Sequence, residues 1–167
     1  MPNSALQAAW SKLGASALLV TALLAAGTYA QAVDDRSRTV VNSPVGHQQL
    51  LGRHKFQLHW ISWGEWKTFG DLTVTNQAGQ LVIKGAYSDR KTGDYIEIDG
   101  IVTRVEDRTF DFQGKIVTRV SYINGGNPCT REGDMTFAIT GKRRYWRLQQ
   151  MQNPCDTATD YVDIFLR

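Results

Sequence analysis

The chain has 167 residues, two cysteines and a formal net charge of +3, with 19 lysines and arginines against 16 aspartates and glutamates. Opposite charges are interspersed, and no basic run with regularly spaced aromatic residues occurs, so nothing in the composition argues for nucleic-acid binding. The basic triplet Lys142-Arg143-Arg144 is interpreted as a solvated hairpin tip.

The first 32 residues have the layout of a secretory signal peptide. Lys12 precedes the apolar run ASALLVTALLAA, residues 15–26, which is too short to span a bilayer, and small residues follow up to Ala32. Cleavage after Ala32 predicts an exported chain of 135 residues, enough for one domain, in the periplasm or outside the cell. An uncleaved membrane anchor is the alternative. After cleavage no stable membrane insertion is expected.

Residues 33–51 are predicted to be a flexible lead-in, ending at most in one helical turn. Pro44 and Gly46 interrupt a stretch that has no clear periodicity. The ordered domain is expected to begin near Gly52 and to run to residue 167.

From Gly52 onward, apolar and polar residues alternate with the period of two that is typical of half-buried strands. In FDFQGKIVTRVSY, every second residue from Phe110 to Tyr122 is assigned to the inward face. Eight strands are predicted, at 54–63, 70–76, 80–88, 94–105, 109–122, 134–140, 144–151 and 160–166. Their short connections favour an all-β, eight-stranded up-and-down antiparallel barrel, with a two-sheet β-sandwich as the alternative.

Glycines inside three successive strands, Gly85, Gly100 and Gly114, predict bends of the kind a closed barrel needs. The alternation changes phase near Asp99-Gly100, which predicts a β-bulge there. A second interpretation of these glycines is that they clear room for a ligand.

The triplet Asn-Pro-Cys occurs twice and contains the only two cysteines, Cys129 and Cys155. In an up-and-down meander, the connections after the fifth and seventh strands lie at the same end of the barrel. An exported chain with one cysteine pair is therefore expected to form a Cys129–Cys155 disulfide. A catalytic dithiol is disfavoured by the wide spacing, and a metal site by the lack of two further clustered ligands.

The longest connections share this bridged end, where binding residues on loops usually lie. Trp63 and Trp66 are candidates for a ligand-binding lip, the alternative being that they cap the barrel. Arg131, Arg147 and Asp160 are secondary candidates, either to bind a partner or to tie the loops together.

Five acidic residues could in principle surround calcium: Glu132, Asp134, Asp156, Asp160 and Asp163. They lack the dense alternation of a dedicated calcium loop, so turn and hydrogen-bonding roles are favoured, and no metal or cofactor is assigned. The sequence contains no G-x-S-x-G, no phosphate-binding glycine loop and no H-E-x-x-H, so no catalytic residue is assigned.

Five segments, HWISW, DYIEIDG, TFDFQGKIVTRV, GNPCTREGDMTF and YWRLQQMQNPCDTATDYVDIF, resemble a family of small exported bacterial proteins that has no assigned activity. The resemblance covers nearly all of residues 52–165. More loosely, the architecture resembles lipocalin-like (calycin) barrels. Their G-x-W motif is absent, because seven residues separate Gly52 from Trp60, and no lipocalin ligand is implied.

These observations predict an exported, non-enzymatic binding module whose bridged end binds a small amphipathic ligand or a shallow surface ligand. The alternative is a packed barrel that acts through protein–protein contact, as an inhibitor or with an envelope partner. A hydrolase using loop carboxylates is the weaker alternative. About twenty large inward-facing side chains would fill a small barrel, which favours a packed core with at most a shallow pocket at its mouth.

Overall fold

The computed structural model describes residues 38–61 and 68–167. One helix, α1, spans Pro44–Leu50. The strands are β1 Val40–Val41, β2 Gly52–Leu58, β3 Gly70–Gln77, β4 Gln80–Ser88, β5 Tyr95–Val105, β6 Thr109–Arg119, β7 Cys129–Ala138, β8 Tyr145–Leu148 and β9 Val162–Phe165. A short 3-10 turn occupies Asn124–Gly126.

Strands β2 to β9 form a closed antiparallel barrel in which each strand pairs with its neighbours in sequence. The barrel closes between β2 and β9, where Phe56 faces Ile164 and Leu58 faces Val162. The extra strand β1 pairs in parallel with the end of β5. The predicted eight-stranded up-and-down barrel is confirmed.

The interior of the barrel is filled by side chains. Large aromatic residues from β2, β6, β7 and β8 are each at most 2 % exposed: Phe56, Phe110, Phe112, Phe137 and Trp146. The rings of Phe110 and Phe137 are stacked at 5.0 Å between centroids, and Trp146 meets Phe110 edge-on at 5.8 Å. Full burial of such a side chain stabilises the fold by roughly 1.5–3 kcal/mol.

Gly100 and Gly114 face each other across β5 and β6, and they leave room for a core ring. A Cβ atom on Gly100 would lie 2.4 Å from the Gln113 carbonyl oxygen and 2.6 Å from the Phe112 ring. The space that these glycines clear on the barrel wall is therefore taken by Phe112, which packs over them.

The predicted β-bulge exists, but it lies at Thr103 and not at Asp99-Gly100. Val102 pairs with Phe112 and Arg104 pairs with Asp111, so Thr103 is the extra residue. The inward face of β5 continues through Gly100 to the fully buried Val102, because Ile101 points outward. Because Ile101 is apolar, the sequence pattern assigns it to the inward face, and the bulge is therefore predicted at the wrong position.

Regular structure begins earlier than residue 52, where the sequence places the start of the ordered domain. Ser43 caps α1 by accepting a hydrogen bond from the Gly46 amide at 3.0 Å. Leu50, at the last position of α1, is fully buried in the core. Residues 38–51 are thus part of the folded domain, and Leu50 covers one end of the barrel.

The two ends of the barrel differ. The end covered by α1, called the closed end, carries the tight turns 78–79, 106–108 and 139–144. The other end, called the bridged end, carries the connections 59–69, 89–94, 120–128 and 149–161. The long loops thus gather at one end, as the meander predicts.

Candidate functional site

A disulfide joins Cys129 at the start of β7 to Cys155 in the connection between β8 and β9, with 5.9 Å between the Cα atoms. It is the predicted bridge. β7 begins at Cys129, five residues earlier than the sequence indicates, so this cysteine lies on a strand instead of in a loop.

The two Asn-Pro-Cys triplets have different roles. Asn153 is 4 % exposed, accepts a hydrogen bond from the Cys155 amide at 2.8 Å and donates to Asp160 Oδ2 at 3.0 Å. Asn127 is exposed, and its side-chain amide donates to the carbonyl oxygen of Asn124 within its own loop. The second triplet therefore anchors a loop to the barrel, whereas the first shapes a turn.

Arg131 and Asp160 form an ion pair at the mouth of the barrel. Arg131 lies on the same face of β7 as Cys129, Met135 and Phe137, which is the inward face. Its Nη2 atom lies 3.1 Å from Asp160 Oδ2 and also donates to the Gln152 carbonyl oxygen at 2.8 Å. With Asn153, this pair fills the mouth between β7 and the 149–161 connection.

Asp94 and Asp156 fix the remaining loops of the bridged end. Asp94 is 3 % exposed and accepts from the Ser121 amide at 2.7 Å, which ties the 89–94 loop to the 120–128 loop. Asp156 accepts from the Asn124 amide at 2.6 Å. This hydrogen bond, reinforced by the Thr157 amide, lowers the pKa of Asp156 from its ordinary value.

Among the described residues of this end, Tyr122 is the most exposed large hydrophobic side chain, at 62 %. The sequence pattern assigns it to the inward face, but β6 ends at Arg119 and Tyr122 lies on the loop beyond it. Its hydroxyl donates to the Trp60 carbonyl oxygen at 2.7 Å, and the two rings meet edge-on. Partial desolvation, assisted by the charge of Asp94, raises the pKa of Tyr122.

Arg147 lies on the outer wall of the barrel and not with the Arg131–Asp160 pair. Its Nε and Nη2 atoms each lie 2.7 Å from an oxygen of Asp163, whose side chain is 1 % exposed. These hydrogen bonds raise the pKa of Arg147. The guanidinium also lies over the rings of Tyr161 and Tyr145, at 4.5 and 5.1 Å from their centroids. His59 completes the cluster with a 2.8 Å contact to Asp163 Oδ2.

Trp63 and Trp66 lie outside the described residues, so the proposed lip stays a prediction. Trp60, which the sequence places in the core on a strand running to residue 63, lies in a turn after β2 and packs partly buried against the core.

The described residues, 38–61 and 68–167, contain no group of three or more histidines, cysteines, aspartates or glutamates that could hold a metal ion. Three of the five acids that the sequence offers for calcium, Asp134, Asp156 and Asp160, accept hydrogen bonds from neighbouring residues. Over the same ranges, no helix is long and apolar enough to cross a membrane.

The family model called the PM1083 family matches residues 37–166, which include the described barrel, the α1 segment and the bridged end. The chain belongs to the PM1083 family. A relative from Pasteurella multocida (strain Pm70), named "Uncharacterized protein PM1083", is 44 % identical over 117 residues, which cover 70 % of this chain and 73 % of the relative. No solved structure matches the chain. The family match extends the resemblance, placed at residues 52–165 from the sequence, to include β1 and α1.

Sequence reasoning missed Asn153, Asp94 and Tyr122 at this end. The signal for Asn153 was present, since it precedes a bridged cysteine in the longest connection. Asp94 carries no local pattern, because its partner Ser121 is 27 residues away. The sequence pattern misassigns Tyr122 because this residue continues the alternation of β6 three residues beyond the end of the strand.

Proposed function

We propose that this protein is an exported, non-catalytic binding module that acts through the surface of its bridged end on a protein partner in the cell envelope. The observation that carries the proposal is the filled interior, in which the five core rings are at most 2 % exposed. A barrel packed in this way leaves little internal volume for a ligand, so we assign binding to its outer surface.

The bridged end is the favoured surface because its loops are held in one arrangement. The disulfide, the Arg131–Asp160 pair and the Asp94–Ser121 hydrogen bond tie three of its four connections to the barrel or to each other. Loops that are ordered before binding lose little conformational entropy on association, which favours affinity.

An aromatic residue of this rigid frame is exposed. Tyr122 presents most of its ring to solvent while its hydroxyl is anchored on Trp60. Exposed, immobilised tyrosine and tryptophan rings are the residues that most often carry binding energy in protein interfaces. Trp63 and Trp66, on the adjoining 59–69 connection, would extend this surface.

Export is supported by the disulfide, since such bonds persist in oxidising compartments and are rare in the cytosol. The signal peptide over residues 1–32 is part of the proposal, and so is the periplasmic or extracellular location.

Site-specific photo-crosslinking in the native host tests the proposal. A photoreactive phenylalanine analogue is placed at Tyr122, and in matched strains at Lys84 on the barrel wall and at Val45 on the closed end, both exposed. We expect one discrete envelope-protein adduct from position 122 only. Equal adducts from all three positions, or none from position 122, would contradict the proposal.

A further inference from the structure

We propose that the closed end of the barrel docks on an anionic membrane surface, with no need for a spanning segment. The residues involved lie at the end of the barrel opposite the candidate site.

Positive charge is concentrated at the closed end. Seven of its residues are basic and only two, Glu106 and Asp107, are acidic; the basic residues are Arg38, Arg53, Arg108, Lys142, Arg143, Arg144 and Arg167. The other described residues contain more acids than bases. The small net charge of the chain therefore hides a strong asymmetry between this end and the rest of the barrel.

These cations are not used within the described protein to pair with acids. The ion pairs among the described residues involve other arginines, lysines and His59. Arg108 and Arg167 donate to backbone carbonyl oxygens, which fixes their positions without neutralising their charge. A cation that is held in place but has no acidic partner is suited to an anionic group outside the protein.

Two surface grooves meet among these residues. The first, of about 420 Å³, runs between α1 and the chain end and is lined by Val45, Gln48, Gln49, Arg144, Leu166 and Arg167. The second, of about 290 Å³, shares Leu166 and Arg167 and adds Arg53 and Lys55. The one acid that lines it, Asp71, is already paired with Lys55 at 3.0 Å.

The grooves combine these cations with exposed apolar surface. Val45 projects from α1 with 61 % of its surface exposed, although the same helix buries Gly46 and Leu50 against the barrel. An exposed apolar side chain beside arginines matches the boundary between lipid headgroups and acyl chains.

The arrangement of the cations favours a bilayer over a single bound anion. They are spread over the 139–144 turn, the chain end, the start of β2 and the 106–108 turn, so they surround the end of the barrel instead of converging on one point. A plane of phosphates can engage all of them at once. Each lysine or arginine near an anionic membrane contributes about 1 kcal/mol to binding, and salt weakens the attraction.

Vesicle co-sedimentation tests the docking. The protein recovered from its host is mixed with vesicles of phosphatidylglycerol and phosphatidylcholine, and with vesicles of phosphatidylcholine alone, at low and high salt. We expect binding only to the anionic vesicles, reversed by salt. Equal binding to both kinds of vesicle, or no binding at low salt, would overturn the proposal.

Two double variants that lose the same amount of positive charge test whether binding depends on the closed end or only on the net charge of the protein. Lys142→Gln/Arg144→Gln removes two closed-end cations, and Lys84→Gln/Lys115→Gln removes two exposed cations from the barrel wall. We expect the first variant to partition roughly 30-fold less onto anionic vesicles and the second to bind nearly as well as the wild type. Equal losses would overturn the proposal, and circular dichroism verifies that both variants are folded.

Competition with inorganic phosphate tests whether the closed-end cations bind a membrane surface or a single small anion. If phosphate displaces the protein from vesicles no better than chloride of equal ionic strength, the bilayer is the occupant. If phosphate instead displaces the protein at concentrations well below those at which chloride does, the grooves bind a free phosphate group. That result would contradict docking on a membrane.

Discussion

The guanidinium of Arg131 and the carboxylate of Asp160 lie 3.1 Å apart, with side chains only 9 % and 1 % exposed. The pair occupies the mouth of a barrel whose interior is mostly apolar. Because Asn153 also donates to the same carboxylate, the charge of Asp160 has two hydrogen-bonding partners. At the bridged end, a polar cluster therefore fills the part of the mouth that lies between β7 and the 149–161 connection.

Removing one partner of the pair should destabilise the protein strongly. Arg131→Met leaves Asp160 buried without its cation, and breaking a buried pair in this way typically costs about 3–5 kcal/mol. Urea unfolding at neutral pH measures the difference. The double variant Arg131→Met/Asp160→Leu should recover a large part of the loss, because no uncompensated charge remains; a sum of two full losses would contradict the pairing.

Breaking the disulfide should lower stability without abolishing the fold. The chain-entropy estimate for a ring closed across 26 residues is roughly 3.5 kcal/mol. Cys129→Ala/Cys155→Ala should therefore unfold at lower urea concentration than the wild type, and the reduced wild type should match the variant. A reduced protein as stable as the oxidised one would contradict the structural role of the bridge.

Acidification should loosen the connection between Asn124 and Asp156. The Asn124 amide lowers the pKa of Asp156 in the folded state, so the ionised carboxylate adds stability that is present above the ordinary carboxyl pKa and is lost as the pH falls through the lowered value.

The matched variant is Asp156→Asn, compared with wild type by urea unfolding from about pH 6 to about pH 2. We expect the wild type to be the more stable at the upper limit and the difference to shrink towards the lower one. A difference that is constant over this interval would show that the charge of Asp156 has no part in the contact.

Truncating a core ring tests whether the interior is filled. Phe112 lies over Gly100 and Gly114 and is 1 % exposed, so Phe112→Ala should cost about 3–5 kcal/mol in unfolding free energy. A hollow barrel would lose much less, because the ring would already border empty space. The exposed Tyr122→Ala serves as the comparison on the loop end.

Replacing Trp63 and Trp66 together tests whether they form a binding lip. Trp63→Ala/Trp66→Ala should leave the thermal unfolding midpoint close to that of the wild type and remove the adduct formed from position 122. Loss of folding in this variant would assign the two residues to the core and remove the lip from the proposed binding surface.

The architecture could be predicted because each barrel strand shows a local alternation of apolar and polar residues. Alternation of period two and short turns located all eight barrel strands. Because the connections after the fifth and seventh strands of a meander lie at the same end, the sequence also placed Cys129 and Cys155 together. The start of the domain could not be predicted in this way, because β1 and α1 are stabilised by contacts with Val105 and with the core, not by periodicity.

The candidate site was less predictable for the same reason. The sequence indicates Arg131 and Asp160 only as charges near one end. Their burial depends on where β7 begins, and that strand starts five residues earlier than its alternation indicates. The sequence groups Arg147 with them, yet the position of Arg147 on β8 directs it to Asp163 on the outer wall. Side-chain direction on a strand changes with every residue, so an error in a strand boundary changes the assigned partners.

Native mass spectrometry of the protein recovered from its host's envelope tests whether a packed barrel binds through its surface. We expect the mass of the polypeptide alone, two hydrogens short because of the disulfide, or that mass joined to a second protein. A stoichiometric small-molecule adduct that survives in the native spectrum and disappears on denaturation would contradict the packed interior and restore a ligand-carrying barrel.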